Sequence, residues 1–377
     1  MSVYVDLTEF LARPILTGIQ RVTAEICRFW PSDDLRPLRL TESGQLIELP
    51  PALISAIARC FNDPDGTAVR EVCSLREKPV REVPRNGDET VLVPELFYDP
   101  WRVEFFRRQS RDSLSRYRFI VYDLMPLLYP EYFAPDIPHD IISAYFSLIR
   151  RIPHCGFISR WTQETYCCRL RREQSLTGVV LRLGSDGLGP RPATPRLGRP
   201  PKFCVVGTIE PRKNHGLILD AFEPLLRINR GIQLTFLGRL GWVDAHLGER
   251  LQRMSSGECP GFRWISDADD ACVRHHVEEA RASIYVSSAE GFGLPPVESL
   301  WLGTPVIASA HLPSLEAVGT QGLQIITDLN ANALQDAVHS FLDDTFGDSK
   351  AEETLAIDLP TWASFAQQTA DWCRSPA

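Results

Sequence analysis

Short apolar runs rich in β-branched residues recur along the chain: SVYVDL, ETVLVP, YRFIVYDL, CGFIS, GVVLRL, KFCVVG, IQLTFLG, ASIYVSS and TPVIAS. Each is bounded by turn formers, and several are followed by a helix-length stretch. Near-continuous apolar runs are the mark of strands buried on both faces, and their alternation with helices predicts α/β units around parallel sheets. The densest Gly/Pro stretch, GSDGLGPRPATPRLGRPP, begins at Gly184 and ends at Pro201. Such a composition disfavours helix and strand alike and reads as a linker. The strand KFCVVG follows at once. The expected division is an N-terminal domain over 1–190 and a C-terminal domain over 200–360. In the last stretch, LPTWASFAQQTADWC, the residues Trp362, Phe365 and Trp372 have helical spacing.

Composition narrows the class. The chain has 377 residues, 44% hydrophobic and 23% charged, an ordinary soluble globular profile with room for two domain cores. With 40 basic and 48 acidic residues the net charge is −8, which argues against a general nucleic-acid binder. Nearly all of that acidity lies beyond residue 190. No apolar stretch is long enough for a membrane span, and MSVYVDLTEFLARP has neither the basic start nor the apolar centre of a signal peptide. The 10 cysteines form no C-x-x-C, so reduced, mostly buried thiols are expected, and with them a cytoplasmic setting.

The candidate chemistry concentrates after the linker. Strand FCVVG leads through TIEPRKN into HGLILDAFEPLL, which places Arg212 and Lys213 together at a strand's C-terminal end, with Asn214 as a candidate helix cap. Two cations beside a helix start suit an anion, a diphosphate in particular. Further on, strand ASIYV runs into Glu290-Gly291-Phe292-Gly293-Leu294-Pro295-Pro296-Val297-Glu298. Gly291 and Gly293 permit close backbone approach to a ligand. Pro295 and Pro296 fit the entry to a helix. Glu290 and Glu298, on either side of the loop, could accept hydrogen bonds from sugar hydroxyls at two places along one ligand. GTPVIAS reads as scaffold. Asp63-Pro64-Asp65 is formally D-x-D, but it sits in the turn FNDPDGT rather than at a strand end, so a metal site is not expected.

These residues resemble a known family. From Phe203 to about Thr327 the chain is similar to the C-terminal domain of family 4 retaining glycosyltransferases of the GT-B fold. The E-x(7)-E motif stands as Glu290…Glu298, and the donor-phosphate motif as Glu210-Pro211-Arg212-Lys213-Asn214. The resemblance implies an α/β architecture of two Rossmann-like domains facing each other across a cleft, with a C-terminal helix over about 361–377 crossing back to the first domain. By the same resemblance, Glu290 is the catalytic carboxylate against the donor sugar. Phe292, Gly293 and Leu294, after Gly291, present backbone amides to the donor, Glu298 binds the ribose, and Arg212 with Lys213 neutralises the diphosphate. Ile265 and Ser266, in FRWISDADD, stand where the family reads the nucleobase. Many relatives carry Arg after the first glycine of this domain; here Thr208 follows Gly207.

The first half carries fainter marks. Thr17-Gly18-Ile19-Gln20-Arg21 resembles the family's glycine loop, with Gln20 replacing the second glycine, and Gly18 could let the backbone approach the donor phosphate or the acceptor. Tyr122-Asp123 stands where many relatives have His-Asp, so Asp123 could hold hydroxyls or act as a base. Phe157-Ile158-Ser159-Arg160 resembles another of the family's turns. WRVEFFRRQSRDSLSRYR, from Trp101 to Arg118, could form a basic aromatic helix resting on an anionic membrane, or a solvated helix with one packed face.

The resulting expectation is a metal-independent retaining transferase without a resident cofactor. It would move a hexose, mannose-type favoured, from a nucleotide diphosphate sugar to a glycan or lipid-linked acceptor in surface polysaccharide biosynthesis. Peripheral contact with the inner face of the membrane fits a lipid-linked acceptor. The alternatives are a nucleotide-sugar epimerase or hydrolase on the same fold, or a non-catalytic nucleotide-sugar-binding subunit.

Overall fold

The computed structural model describes residues 2–63, 65–84, 87–133, 138–170, 178–228, 231–316 and 318–376. The chain forms two compact units, each built around its own sheet. The first comprises Met1–Leu128, Pro135–Gly184 and Pro360–Ala377, and the second Tyr129–Ala134 and Ser185–Leu359.

The first unit holds eight strands: β1 (Val3–Asp6), β2 (Leu35–Leu40), β3 (Leu46–Glu48), β4 (Arg81–Val83), β5 (Thr90–Val93), β6 (Tyr117–Val121), β7 (His154–Phe157) and β8 (Val179–Val180). Their order is β4-β3-β2-β1-β5-β6-β7-β8. The run from β2 to β8 is parallel, and β3 and β4 extend it antiparallel. Every apolar run read from this half is a strand. The sequence reading misses β2, β3 and β4 for a physical reason. In β2, LRPLRL, two of the six positions are only half-buried, and β3 and β4 are three-residue edge pairings.

The second unit holds β9 (Lys202–Val206), β10 (Gln233–Leu237), β11 (Phe262–Ile265), β12 (Ala282–Tyr285), β13 (Val306–Ser309) and β14 (Leu323–Ile326). All are parallel, in the order β11-β10-β9-β12-β13-β14. This is the doubly wound Rossmann order, whose direction of winding reverses between β9 and β12. In the first unit the corresponding reversal lies between β1 and β5. The second unit's core packs Phe203, Phe222, Phe236, Ile284 and Phe341, and that of the first packs Phe97, Phe106, Phe119 and Phe157.

The segment from Trp101 to Arg118 is not one basic helix. Helix Pro100–Arg107 ends, a single turn Arg111–Leu114 follows, and β6 begins at Tyr117. Arg102, Arg116 and Arg118, three of its six arginines, are buried. Arg102 is paired with Asp6 at 2.9 Å and Glu9 at 3.3 Å, beneath the Phe97 ring. These arginines serve the core rather than a membrane-facing stripe. Among the described residues, no helix is long and apolar enough to cross a membrane.

Helix Trp362–Arg374 groups with the first unit. A reciprocal cap between Thr361 and Ser364 starts it. Trp362 is fully buried, the Thr90 hydroxyl donates to the Cys373 carbonyl at 2.9 Å, and Arg374 pairs with Asp34 at 2.9 Å.

Candidate active site

In a doubly wound sheet, the loops leaving the carboxyl ends of the strands that flank the reversal diverge and leave a crevice. Here those are the loops after β9 and β12, which carry the two motifs singled out in the sequence. They are tied together. The Asn214 amide donates to the Val286 carbonyl at 2.7 Å and to Ser288 Oγ at 2.8 Å, and the Ser288 amide donates to the Arg212 carbonyl at 2.8 Å. Asn214 therefore spends its side chain on bridging the loops rather than on capping the helix. Its left-handed backbone (φ 56°) turns the chain from the Pro211–Lys213 turn into helix His215–Ile228.

Arg212 lies between two carboxylates, pairing with both Glu210 and Glu290, and it also donates to the Ala289 carbonyl at 3.1 Å. Glu290 accepts from Ser287 Oγ at 3.1 Å. Burial opposes the charge on Glu290. Arg212 and Lys213, with the hydrogen bonds from Arg212 and Ser287, outweigh it and hold the carboxyl below its usual range. Lys213 makes no ion pair within 4 Å among the described residues. Its ammonium lies over Gly207, where an added Cβ would come within 2.3 Å of Nζ and where φ is +138°. Only glycine suits that position, for both reasons. Behind the loop, buried His215 is held neutral, its pKa pushed down to about 3 by burial and by Lys213.

Lys213, Ser287, Glu290, Gly293, Pro295 and Pro296 line one small pocket at this crevice. Gly293 caps helix Leu294–Trp301 at φ 91°. Pro295 and Pro296 have no N–H, so among the first three helical positions only Leu294 offers a donor. The amides of Phe292, Gly293 and Leu294 have no protein acceptor among the described residues, whereas the Phe292 carbonyl accepts from the Ser314 amide at 2.9 Å. A cation, a carboxylate and free amides thus converge at one strand edge, a combination able to hold an anionic group beside a hydroxylated one.

The other candidates lie elsewhere. Gly291 is buried between Glu290 and the free amides. Glu298 is buried in the second turn of its helix and does not line this pocket. Ile265 ends β11 half-buried, and Ser266 is exposed just beyond it. Gly18 and Asp123 belong to the first unit. Gly18 opens helix Gly18–Phe29, and a Cβ there would meet nothing within 4 Å. Gln20 clamps the preceding turn: Oε1 accepts from the Ile15 and Leu16 amides at 3.0 and 2.7 Å, and Nε2 donates to the Arg13 carbonyl at 2.8 Å. These three hydrogen bonds give Gln20 a structural task in the turn. Asp123 accepts from the Met125 amide at 3.0 Å, while the Tyr122 phenol is turned into the core and donates to the Pro94 carbonyl. Ser159 caps helix Arg160–Arg169. Asp63 accepts from the Ala68 amide at the start of helix Thr67–Leu75, and Pro64, the middle of the D-x-D, lies outside the described residues.

Sequence reasoning missed the part played by Glu210, whose pairing with Arg212 depends on a turn that spacing alone does not reveal. It also missed Glu95. This residue follows β5 at 3% exposure, with one carboxyl oxygen lacking a hydrogen-bond partner among the described residues. Burial and then Glu9 push its carboxyl up to about 8 against the pull of Arg102.

Residues 191–355 match the family described as glycosyl transferases group 1. Among curated proteins, the chain is 28% identical over 206 residues to the serotype-specific mannosyltransferase WbdA of Escherichia coli, covering 50% of this chain and 25% of that protein. It is 34% identical over 120 residues to the O-antigen chain mannosyltransferase B of Escherichia coli, covering 31% of each. A phosphatidyl-myo-inositol mannosyltransferase of Mycobacterium leprae matches at 32% over 119 residues, 30% of this chain and 29% of that one. The chain thus spans only about a quarter to a third of the length of these relatives. Among solved structures, Anabaena HepE in complex with UDP and glucose superposes over 100% of both chains with a TM-score of 0.65 at 14% identity. A Rickettsia africae glycosyltransferase superposes over 98% of this chain and 97% of its own with a TM-score of 0.61 at 13% identity. The fold is GT-B, and the match to the group 1 glycosyl transferases is confined to residues 191–355, within the second unit.

Proposed function

We propose that this protein transfers a hexose, mannose-type, from a nucleoside diphosphate sugar to a glycan or lipid-linked acceptor, with retention at the anomeric carbon, in the assembly of surface polysaccharide. The observation that carries the reading is the convergence of Glu290, Lys213 and Gly293 in one pocket of the second unit, with the unpartnered amides of Phe292 and Leu294 on either side of Gly293 in the chain. The names of the mannosyltransferase relatives favour the sugar, and the UDP and glucose bound to HepE favour the donor class.

In this reading the bond from the anomeric carbon to the diphosphate oxygen breaks, and negative charge builds on the departing phosphate. Positive charge from the Arg212–Lys213 loop and the amides before helix Leu294–Trp301 stabilise it. The side chains and amides thereby take the place of a divalent ion. Glu290, ionised, accepts hydrogen bonds from the sugar hydroxyls and stabilises the oxocarbenium-like centre. Glu298 is assigned to the ribose, Ile265 and Ser266 to the base, Gly18 to the phosphate and Asp123 to the acceptor. A lipid-linked acceptor would bring the protein to the cytoplasmic face of the membrane.

A panel of GDP-, UDP- and dTDP-sugars tests the reading, because a ligand that binds only the native state raises its melting temperature. GDP-mannose is expected to give the largest shift and, with an acceptor, an α-linked product by NMR. Glu290→Gln is expected to cut transfer by about 100-fold or more with unchanged circular dichroism. A panel in which no nucleotide sugar shifts the melting temperature refutes the proposal.

A further inference from the structure

We infer that Arg212 is a positioning residue that holds Glu290 in place, and that Lys213 alone of this cationic pair binds the diphosphate. The inference rests on the reading of the pocket as a nucleoside diphosphate sugar site. It divides between two residues a task that their adjacency in the sequence assigns to both.

The geometry separates them. The Arg212 guanidinium is engaged on both sides, by Glu210 and by Glu290, and Nη1 also donates to the Ala289 carbonyl. Glu210 is buried, and among the described residues its one ion pair is with Arg212. Moving the guanidinium to a phosphate would leave two largely buried carboxylates uncompensated beside an incoming anion, which is the costly arrangement. With Arg212 in place, Glu210, Glu290, Arg212 and Lys213 sum to zero charge, and among the described residues Lys213 has no carboxylate within ion-pair distance. Lys213 also lines the pocket, and Arg212 does not. Glu210 thus anchors one end of the guanidinium, and the other end fixes Glu290 as an ionised, oriented acceptor. The arrangement makes a carboxylate tolerable next to a diphosphate.

Binding and turnover of variants separate these roles. The probes are GDP and UDP by calorimetry, and the turnover substrate is the nucleotide sugar with the largest thermal shift. Lys213→Met is expected to weaken nucleoside diphosphate binding more than about tenfold. Arg212→Met is expected to leave that binding within about threefold, while kcat falls by about 100-fold with little change in donor KM. Removing Arg212 also removes the partner that keeps the Glu290 carboxyl low, so the acid limb of the kcat–pH profile moves to higher pH. Arg212→Lys is expected to restore part of kcat and return the limb toward its original place. Circular dichroism and melting temperature confirm that each variant is folded, and Arg212→Lys carries the comparison where Arg212→Met is not. Equal weakening of GDP and UDP binding by Lys213→Met and the Arg212 variant overturns the inference while leaving the pocket's function standing. A wild-type protein that binds neither GDP nor UDP overturns both, and that result is visible before any substitution is made.

Discussion

Glu95 makes the first unit lose stability as the pH rises from about 4.5 to 8. In the native state its carboxyl titrates near 8, and in the unfolded chain near 4.5. Below pH 4.5 both states hold the proton. Between 4.5 and 8 the unfolded chain has lost it and the native state keeps it, so the native state binds more protons and stability falls as pH rises. Above 8 both are ionised and the full cost is present. At about 1.4 kcal/mol per pH unit, the ceiling over this window is ~5 kcal/mol. Water entry and movement of Arg102 soften such a cost, and about 2 kcal/mol is the expected loss. For a unit of this size that is a fall of about 4–8 °C in melting temperature. Glu95→Gln keeps the shape and removes the titration. Melting curves from pH 5 to 8.5 should therefore nearly coincide at pH 5, diverge progressively as the pH rises and stop diverging above about pH 8, with the variant the more stable. Glu9, also shifted upward by burial, leaves a residual slope in both proteins. Parallel losses in wild type and variant across the whole range would refute the argument.

Four further outcomes follow from the geometry. Gly207→Ala forces a side chain into the left-handed region and displaces Lys213; it should cost about 1–3 kcal/mol of stability and weaken nucleoside diphosphate binding, read by melting and calorimetry. Gly18→Ala meets open space, so its melting temperature should stay level or rise slightly, and a fall in transfer would then report backbone approach to a ligand. Arg102→Met leaves Asp6 and Glu9 without their cation and should cost about 3–5 kcal/mol, measurable by urea unfolding. Treatment with EDTA should leave transfer unchanged, and loss of turnover that is restored by magnesium would contradict a side-chain-stabilised leaving group.

The parallel strands were readable because burial on both faces leaves an almost uninterrupted apolar run, as in KFCVVG and ASIYVSS. The two site loops were readable because glycine, proline and acid are confined to positions where a strand-to-helix turn tolerates them. The charge distribution inside those loops was not. The pairing of Arg212 with Glu290 joins positions far apart in sequence, across loops that Asn214 bridges, and no local pattern encodes it. The substitution of Gln20 for a family glycine reads as a departure until its three hydrogen bonds show it closing the turn before its helix. The segment 101–118 misled for a similar reason. Composition reports that arginines are present, and only the fold reports that Asp6, Glu9 and backbone carbonyls have taken three of them inside.

The grouping of helix Trp362–Arg374 with the first unit has a consequence for biogenesis. A ribosome finishes the whole of 185–359 before it releases the segment that completes the unit begun at the N-terminus. The later-starting unit can therefore mature first, while β5 and helix Gly18–Phe29 wait without the helix Trp362–Arg374 that packs against them. A nascent chain halted near residue 359 would expose that face, which makes it a natural client for chaperones until helix Trp362–Arg374 emerges.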